Sequence, residues 1–181
     1  MERDKYMWSK TRKRLNNLLA GSLKGRIVYN HEVYTTNKYK YNSEMHVFYI
    51  YLDKQIIFAT NPLGEEKYSG EISNMLKEVD KNEEFILYKA LEKLHYSALS
   101  KSIYETGYIS IQPLMKYLHK YIYTISIDEA LTSENYIYHI FAIFDRRLGK
   151  RRLIEIVKNV DTEPEWFRKY VIIRAKAEGM I

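Results

Sequence analysis

Cysteine is absent from this 181-residue chain, and glycine and proline are scarce, with seven and three residues respectively. Without cysteine there can be no disulfide, no thiolate metal ligand and no cysteine nucleophile. The few glycines form no phosphate-binding loop, and the sequence contains no P-loop, GxGxxG, GxSxG or protein-kinase signature. The sequence therefore points to no cofactor and names no catalytic residue.

Long apolar runs and paired metal ligands are missing as well. No apolar stretch reaches the ~18 residues that a membrane span needs, and the charged segment 1–13 does not resemble a signal peptide. The five histidines (31, 46, 95, 119 and 139) show neither HxH nor HExxH spacing, the patterns that place two imidazoles on one metal. We therefore expect a cytoplasmic bacterial protein that neither enters a membrane nor binds a metal.

Aromatic and charged residues are plentiful. The 18 Tyr, six Phe and two Trp argue against disorder, and the length suits one domain with a sizeable core. The net charge is +6, but residues 1–30 carry eight Lys/Arg against two carboxylates, whereas residues 61–106 carry nine Asp/Glu against six Lys. This asymmetry is compatible with an anionic partner, although scattered lysine also serves simply to keep a protein in solution.

Hydrophobic periodicity predicts an α+β fold in a single domain, residues 1–181. Residues 1–61 are predicted to form a helix and a β-meander, and residues 62–181 a mainly helical body. In the first part we expect a helix over 6–23, a strand over 26–36, a loop over 37–43 and a hairpin with strands 46–52 and 55–60. In the second part we expect helices over 71–79, 83–103, 113–123, 135–144, 150–158 and 164–178.

Two local signals refine this prediction. Ser126-x-x-Glu129 has the form of a capping box, in which each side chain bonds the other residue's main-chain N–H. The stretch 135–144 is apolar nearly all round, which suits either a central helix or a buried strand. The residues that flank it favour the helix.

Two arginines lie on helix faces that are otherwise apolar. Arg12 falls inside the apolar arc of the first helix, and Arg174 falls beside Tyr170 on the last. A guanidinium on a packing face needs partners, or its burial is costly. Asp145 directly follows a buried apolar segment and is the natural carboxylate for one or both arginines, with bidentate geometry available. Asp145, Arg12 and Arg174 therefore form either a structural network or a preorganised anion site, and we favour the structural role.

The segment after the predicted central helix is strongly basic. Residues 146–152 carry five positive charges, and three of them fall in the first turn of a helix, where positive charge opposes the helix dipole. An anionic neighbour would relieve this, either an acidic surface of the same chain or a phosphate-bearing ligand at the free N–H groups. The candidate basic surface comprises Lys10, Lys13, Arg14, Lys150, Arg151 and Arg152.

Several short motifs resemble a family of small cytosolic proteins from Bacillus-like bacteria. They are WSK at 8–10, LKGRI at 23–27, DRRLGKRRL at 145–153, PEW at 164–166 and RAKAEG at 174–179. The motifs are weak singly but lie at both ends of the chain, so the resemblance covers the whole domain. The family has no established activity; the resemblance implies a compact cytosolic protein and carries over no catalytic residue.

Three functional hypotheses follow from the sequence. The leading one is a non-enzymatic interaction or accessory protein that acts through a protein partner. The second is a weak nucleic-acid or phosphate binder that uses the candidate basic surface. The third is an enzyme whose active site is assembled from distant residues without a local motif. A single track of cations would favour the second, and a deep pocket that gathers Asp145 with other polar groups would favour the third.

Overall fold

A three-stranded antiparallel sheet precedes a set of helices in the structure, a computed structural model that describes residues 7–36, 43–60 and 111–181. The N-terminal part consists of α1 (Trp8–Leu18), a 3₁₀ turn (Gly21–Leu23), β1 (Ile27–Thr36), β2 (Ser43–Leu52) and β3 (Gln55–Ala59). The C-terminal part consists of α2 (Ile111–Tyr123), α3 (Ile127–Thr132), α4 (Tyr136–Phe144), α5 (Lys150–Lys158), a second 3₁₀ turn (Val160–Thr162) and α6 (Glu165–Ala177). The α+β class is confirmed. The predicted helices 71–79 and 83–103 and residues 37–42 of the predicted loop 37–43 lie outside the described residues, and Ser43, predicted to end that loop, begins β2.

The sheet has the order β1-β2-β3, and each neighbouring pair is antiparallel, as the sequence predicts. The turn between β2 and β3 consists of Asp53 and Lys54, with φ angles of 49° and 72°. Positive φ at both central residues is what a type I′ turn requires, and this turn matches the right-handed twist of the strands that it joins. Arg26, the residue before β1, holds the turn through a forked ion pair with Asp53, with Nη2 2.6 Å from Oδ2.

The first helix is shorter than its periodicity predicts. We expected a helix over 6–23, but α1 ends at Leu18 and the chain becomes extended. The main-chain N–H of Ala20 donates to the carbonyl of Phe144 at 2.9 Å, and the N–H of Arg146 donates to the carbonyl of Leu18 at 2.7 Å. Because these bonds join the end of α1 to the end of α4, tertiary pairing replaces the last helical turn.

The central helix α4 forms the middle of the hydrophobic core. Eight of its nine residues are buried, and Asn135 caps its start by accepting a hydrogen bond from the N–H of Ile137 at 3.0 Å. This confirms the helix over the alternative of a buried strand. The core around α4 is formed by side chains from the sheet, α2 and α6, among them Tyr29, Phe48, Ile50, Leu114, Leu118, Tyr121, Phe167, Tyr170 and Val171.

The other predicted helices of the described C-terminal part are present with small shifts at their ends. The predicted helix 113–123 begins two residues earlier, at Ile111, and α5 has the predicted bounds. The capping box of Ser126 and Glu129 is formed in both directions at the start of α3. Helix α6 ends in a Schellman motif, in which Gly179 adopts a φ of 66° and Met180 N–H donates to the carbonyl of Ala175.

Candidate functional site

Asp145 is a carboxylate in the interior, with 2% of its surface exposed, at the C-cap of α4. Its Oδ2 accepts hydrogen bonds from the Tyr121 hydroxyl at 2.5 Å and from Nη2 and Nε of Arg147 at 2.8 and 3.0 Å. Its Oδ1 accepts from the main-chain N–H of Arg147 at 2.7 Å. Both oxygens are therefore satisfied, which is the condition under which a buried charge is tolerated.

The charge of Asp145 affects the ionisable groups around it. Burial lowers the pKa of the Arg147 guanidinium, but its hydrogen bond to Asp145 and the nearby negative charge outweigh this, and the net pKa is raised. Burial, reinforced by the charge of Asp145, raises the pKa of Tyr121 far above its usual range, and the same two causes act on Tyr29. Both phenols are thus held in their neutral form beside a paired carboxylate.

Arg174 is the second buried ion of the interior and caps the end of α4. Its Nη1 lies 3.3 Å from the carbonyl of Ile143 and 3.4 Å from that of Asp145, so a cation meets the negative end of the helix dipole. Its Nε lies 3.0 Å from Oε1 of Glu178, an ion pair without good hydrogen-bond direction. Burial lowers the pKa of Arg174, and the charge of Glu178 opposes that shift.

The same carboxylate of Glu178 also binds the segment that follows α1. Ser22 Oγ donates to Oε1 of Glu178 at 2.6 Å. Together with the bridge between Leu19 and Asp145, this contact ties the N-terminal segment both to α6 and to the end of α4. The charged groups at the end of α4 therefore hold together three stretches that are far apart in the sequence.

The pairing that we predicted for Asp145 needs correction. Its carboxylate binds Arg147, whereas Arg174 reaches Asp145 only through the main-chain carbonyl, and Arg12 is exposed on α1. The extended backbone at Asp145 directs its carboxylate to the N–H two residues further on, as an Asx turn does. That local pattern is the signal in the sequence that could have identified Arg147.

The candidate basic surface is divided between two helices, and part of it is neutralised within the chain. Lys10, Lys13 and Arg14 are exposed on α1, and Lys150 and Arg151 are exposed on α5. Two carboxylates face the cations of α5: Asp128 lies 2.5 Å from Arg152, and Glu155 lies 3.7 Å from Arg151. The first turn of α5 thus has anionic neighbours in its own chain, one of the two alternatives left open by the sequence.

The described histidines bind other groups of the chain. Nε2 of His31 lies 3.0 Å from Nδ1 of His46, the two rings are stacked, and Trp8 packs its edge against His31. Burial and the neighbouring His46 lower the pKa of His31. His139 lies 2.6 Å from the carbonyl of Ser133. Within the described ranges there is no group of three or more His, Cys, Asp or Glu arranged to hold a metal, and no helix long and apolar enough to cross a membrane.

A cleft of about 440 Å³ lies between α1 and β1. Two cations line it: Lys24, and Arg12, which the sequence places in the apolar arc of α1. None of the described residues that line it is a carboxylate. The residues around it are Arg12, Asn16, Leu19, Lys24, Gly25, Ile27, Val28 and Tyr29. Sequence patterns could not identify this cleft, because its walls come from two elements and the loop between them.

The fold and these contacts define an α+β protein with a buried apolar helix whose end is fixed by an internal ion network. The chain belongs to the SF0329 protein family, whose model matches residues 7–175. The match covers nearly the whole chain, including α1, the sheet and most of α6. Neither the curated proteins nor the solved structures provide a match.

Proposed function

We propose that this protein is a non-enzymatic interaction protein and that it binds a protein partner through the side of the sheet that faces away from the described helices. One observation carries this proposal. Val28, Tyr51 and Ile56 form a cross-strand row on that side, and 51% of Val28 and 56% of Ile56 are exposed. Adjacent apolar side chains left open to solvent are typical of surfaces that bind other proteins.

The internal polar groups already bond to one another within the chain, and this supports a binding function over catalysis. A general base must reach a proton on its substrate, but the carboxylate of Asp145 already accepts four hydrogen bonds from Tyr121 and Arg147. Arg174 is occupied by helix carbonyls and Glu178. These groups stabilise the fold, and an enzyme would need a site built from other residues.

Nucleic-acid or phosphate binding is the alternative function. It draws support from the exposed cations Lys13, Arg14 and Lys150. The ion pair of Arg152 with Asp128 weighs against it, because a phosphate would have to displace that carboxylate. A polymer also needs cations spread along a track, which residues of α1 and α5 would have to form together.

The partner surface can be tested by site-specific photo-crosslinking in living cells. A photoreactive residue at Ile56 should capture one protein, and the capture should be lost when Val28→Asp is added. Tyr123, on α2, is 55% exposed and serves as the matched control position. The captured protein, once purified, should bind the unmodified chain and not the Val28→Asp variant. The same capture from both positions, or no binding by the purified proteins, would contradict the proposal.

A further inference from the structure

We infer that the cleft beside β1 binds an extended acidic peptide segment. The segment adds a short strand to the edge of β1 that no described strand pairs with, and it places a carboxylate between Arg12 and Lys24. The inference rests on the proposed function, because it names the chemistry that the partner presents to β1, the strand that carries Val28. Three observations carry it: the direction of the main-chain groups of β1, the position of the cleft, and the charges on its walls.

The hydrogen bonds of the sheet show which main-chain groups of β1 point outward. The N–H of Asp53 donates to the carbonyl of Arg26 at 2.9 Å, and these residues face each other across β1 and β2. Along each strand of an antiparallel pair, residues whose main-chain N–H and C=O bond to the other strand alternate with residues whose main-chain groups point away from it. Val28 therefore bonds towards β2, and Ile27 and Tyr29 direct their N–H and C=O groups to the other side.

The hydrogen bonds at the other end of the β1–β2 pair also show which main-chain groups of β1 point outward. Phe48 lies across from His31, and its own N–H and C=O bind Thr60 on the β3 side at 2.8 and 2.9 Å. The main chain of His31 is therefore not paired with β2 and faces the outer edge as well. The edge from residue 27 to residue 31 thus presents donors and acceptors at every second residue, as an additional strand requires.

The cleft lies along this edge. Side chains at successive strand positions point to opposite faces, so Ile27 and Tyr29 lie on the core face and Val28 on the other. A cleft lined by all three must run beside the main chain, and β2 already occupies the inner side. Tyr29 is only 2% exposed. Its outward N–H and C=O have no partner among the described residues and meet the cleft, where an added strand supplies a donor and an acceptor for them.

The walls of the cleft define the side chains that the segment should carry. Arg12 and Lys24 face the cleft from α1 and from the loop before β1, and Asn16 adds an amide. A guanidinium binds a carboxylate in forked geometry. A bare anion fits less well than a peptide, because it can accept from the outward N–H groups but leaves the outward carbonyls of Ile27 and Tyr29 without a donor. A peptide supplies N–H groups for those carbonyls and a Glu or Asp side chain for the cations.

The test uses two short synthetic peptides of equal length, one alternating valine with glutamate and the other valine with lysine. Each is titrated into the ¹⁵N-labelled protein while the amide resonances of Ile27 and Tyr29 are followed. The acidic peptide should shift both resonances saturably, and the basic peptide should not. The Arg12→Ala, Lys24→Ala double variant should bind the acidic peptide roughly tenfold more weakly or worse. Arg14→Ala, an exposed cation of α1 outside the cleft, should bind it normally.

Three results would overturn the inference. They are the absence of saturable shifts with the acidic peptide, equal binding by the double variant and by Arg14→Ala, and equal affinity for free glutamate or inorganic phosphate. The last would mean a simple anion site without strand addition. If the acidic peptide does not bind, but the cross-link at Ile56 still forms and still depends on Val28, the inference is wrong and the proposed function stands. If the peptide binds and the cross-link is absent, the cleft site stands and the proposed partner surface is wrong.

Discussion

The hydroxyl of Tyr121 donates a hydrogen bond of 2.5 Å to Oδ2 of Asp145, which links α2 to the end of α4. Tyr121→Phe removes only the hydroxyl and leaves part of the buried charge without a donor. We expect the free energy of unfolding to fall by roughly 1.5–3 kcal/mol, the range for hydrogen bonds to charged groups. Urea denaturation measures the change. Tyr123→Phe, at an exposed position of the same helix, is the control and should change stability by less than about 0.5 kcal/mol. Equal effects of the two substitutions would contradict a role for this bond.

The buried tyrosines predict a loss of stability at high pH. Burial raises the pKa of Tyr29, Tyr121 and Tyr170, and the charge of Asp145 adds to the shift at the first two. Burial also raises the pKa of Tyr138 to about 12. The unfolded chain, with phenol pKa values of about 10, releases its protons first as the pH rises. Stability from these residues is therefore complete below about pH 10 and declines above it.

Alkaline titration with two spectroscopic signals checks this expectation. Tyrosinate absorbance reports ionisation, and far-ultraviolet circular dichroism reports helix content. The late part of the tyrosinate signal should rise together with the loss of helix, because the buried phenols ionise when the chain unfolds. Smooth ionisation of all 18 tyrosines while the helix signal is retained would contradict the burial of Tyr29, Tyr121, Tyr138 and Tyr170.

The turn between β2 and β3 offers a stabilising substitution. Lys54 has a φ of 72°, a left-handed conformation that costs an L-residue energy and that glycine adopts freely. We expect Lys54→Gly to raise the free energy of unfolding by roughly 0.5–1 kcal/mol. Thermal and urea denaturation both measure it. Gln55→Gly, one residue further on and inside β3, is the control and should be destabilising. A loss of stability in both variants would exclude the proposed strain at Lys54.

Local sequence signals predicted most of the described secondary structure. The capping box of Ser126 and Glu129, the apolar run of α4 and the Asp53-Lys54 turn all act within a few residues, so their patterns were sufficient. The end of α1 at Leu18 could not be predicted in this way. It depends on main-chain bonds to the end of α4, whose partners are more than a hundred residues away in the sequence.

The candidate sites were predicted less well, for the same physical reason. Periodicity placed Arg174 in the interior, and the preceding apolar run placed Asp145 there; both are buried. Periodicity also placed Arg12 on a packing face, but Arg12 is exposed. The sequence pattern did not show that Arg147, and not Arg12 or Arg174, binds the carboxylate of Asp145, since that choice depends on the backbone direction at the end of α4. The cleft beside β1 has walls from separate segments, so only the folded chain reveals it.

The basic residues of α5 give a prediction about nucleic acids. Arg152 is paired with Asp128, and Arg151 is close to Glu155. We expect no saturable binding of short single- or double-stranded DNA or RNA at physiological salt, and only weak, salt-sensitive retention below it. A salt-titrated fluorescence anisotropy assay measures this. Micromolar affinity that is lost in a folded variant with Lys150, Arg151 and Arg152 changed to alanine would establish the nucleic-acid alternative instead.

The central claim is that the charges at the end of α4 stabilise the fold and do not form an open ligand site. The most direct test is equilibrium urea denaturation of Asp145→Ala beside Glu155→Ala. Asp145→Ala leaves Arg147 without its carboxylate and should lower the free energy of unfolding by roughly 3–5 kcal/mol. Glu155→Ala removes only an exposed, 3.7 Å contact with Arg151 and should change stability by less than about 1 kcal/mol. Equal unfolding midpoints for Asp145→Ala and the unmodified protein would contradict the claim.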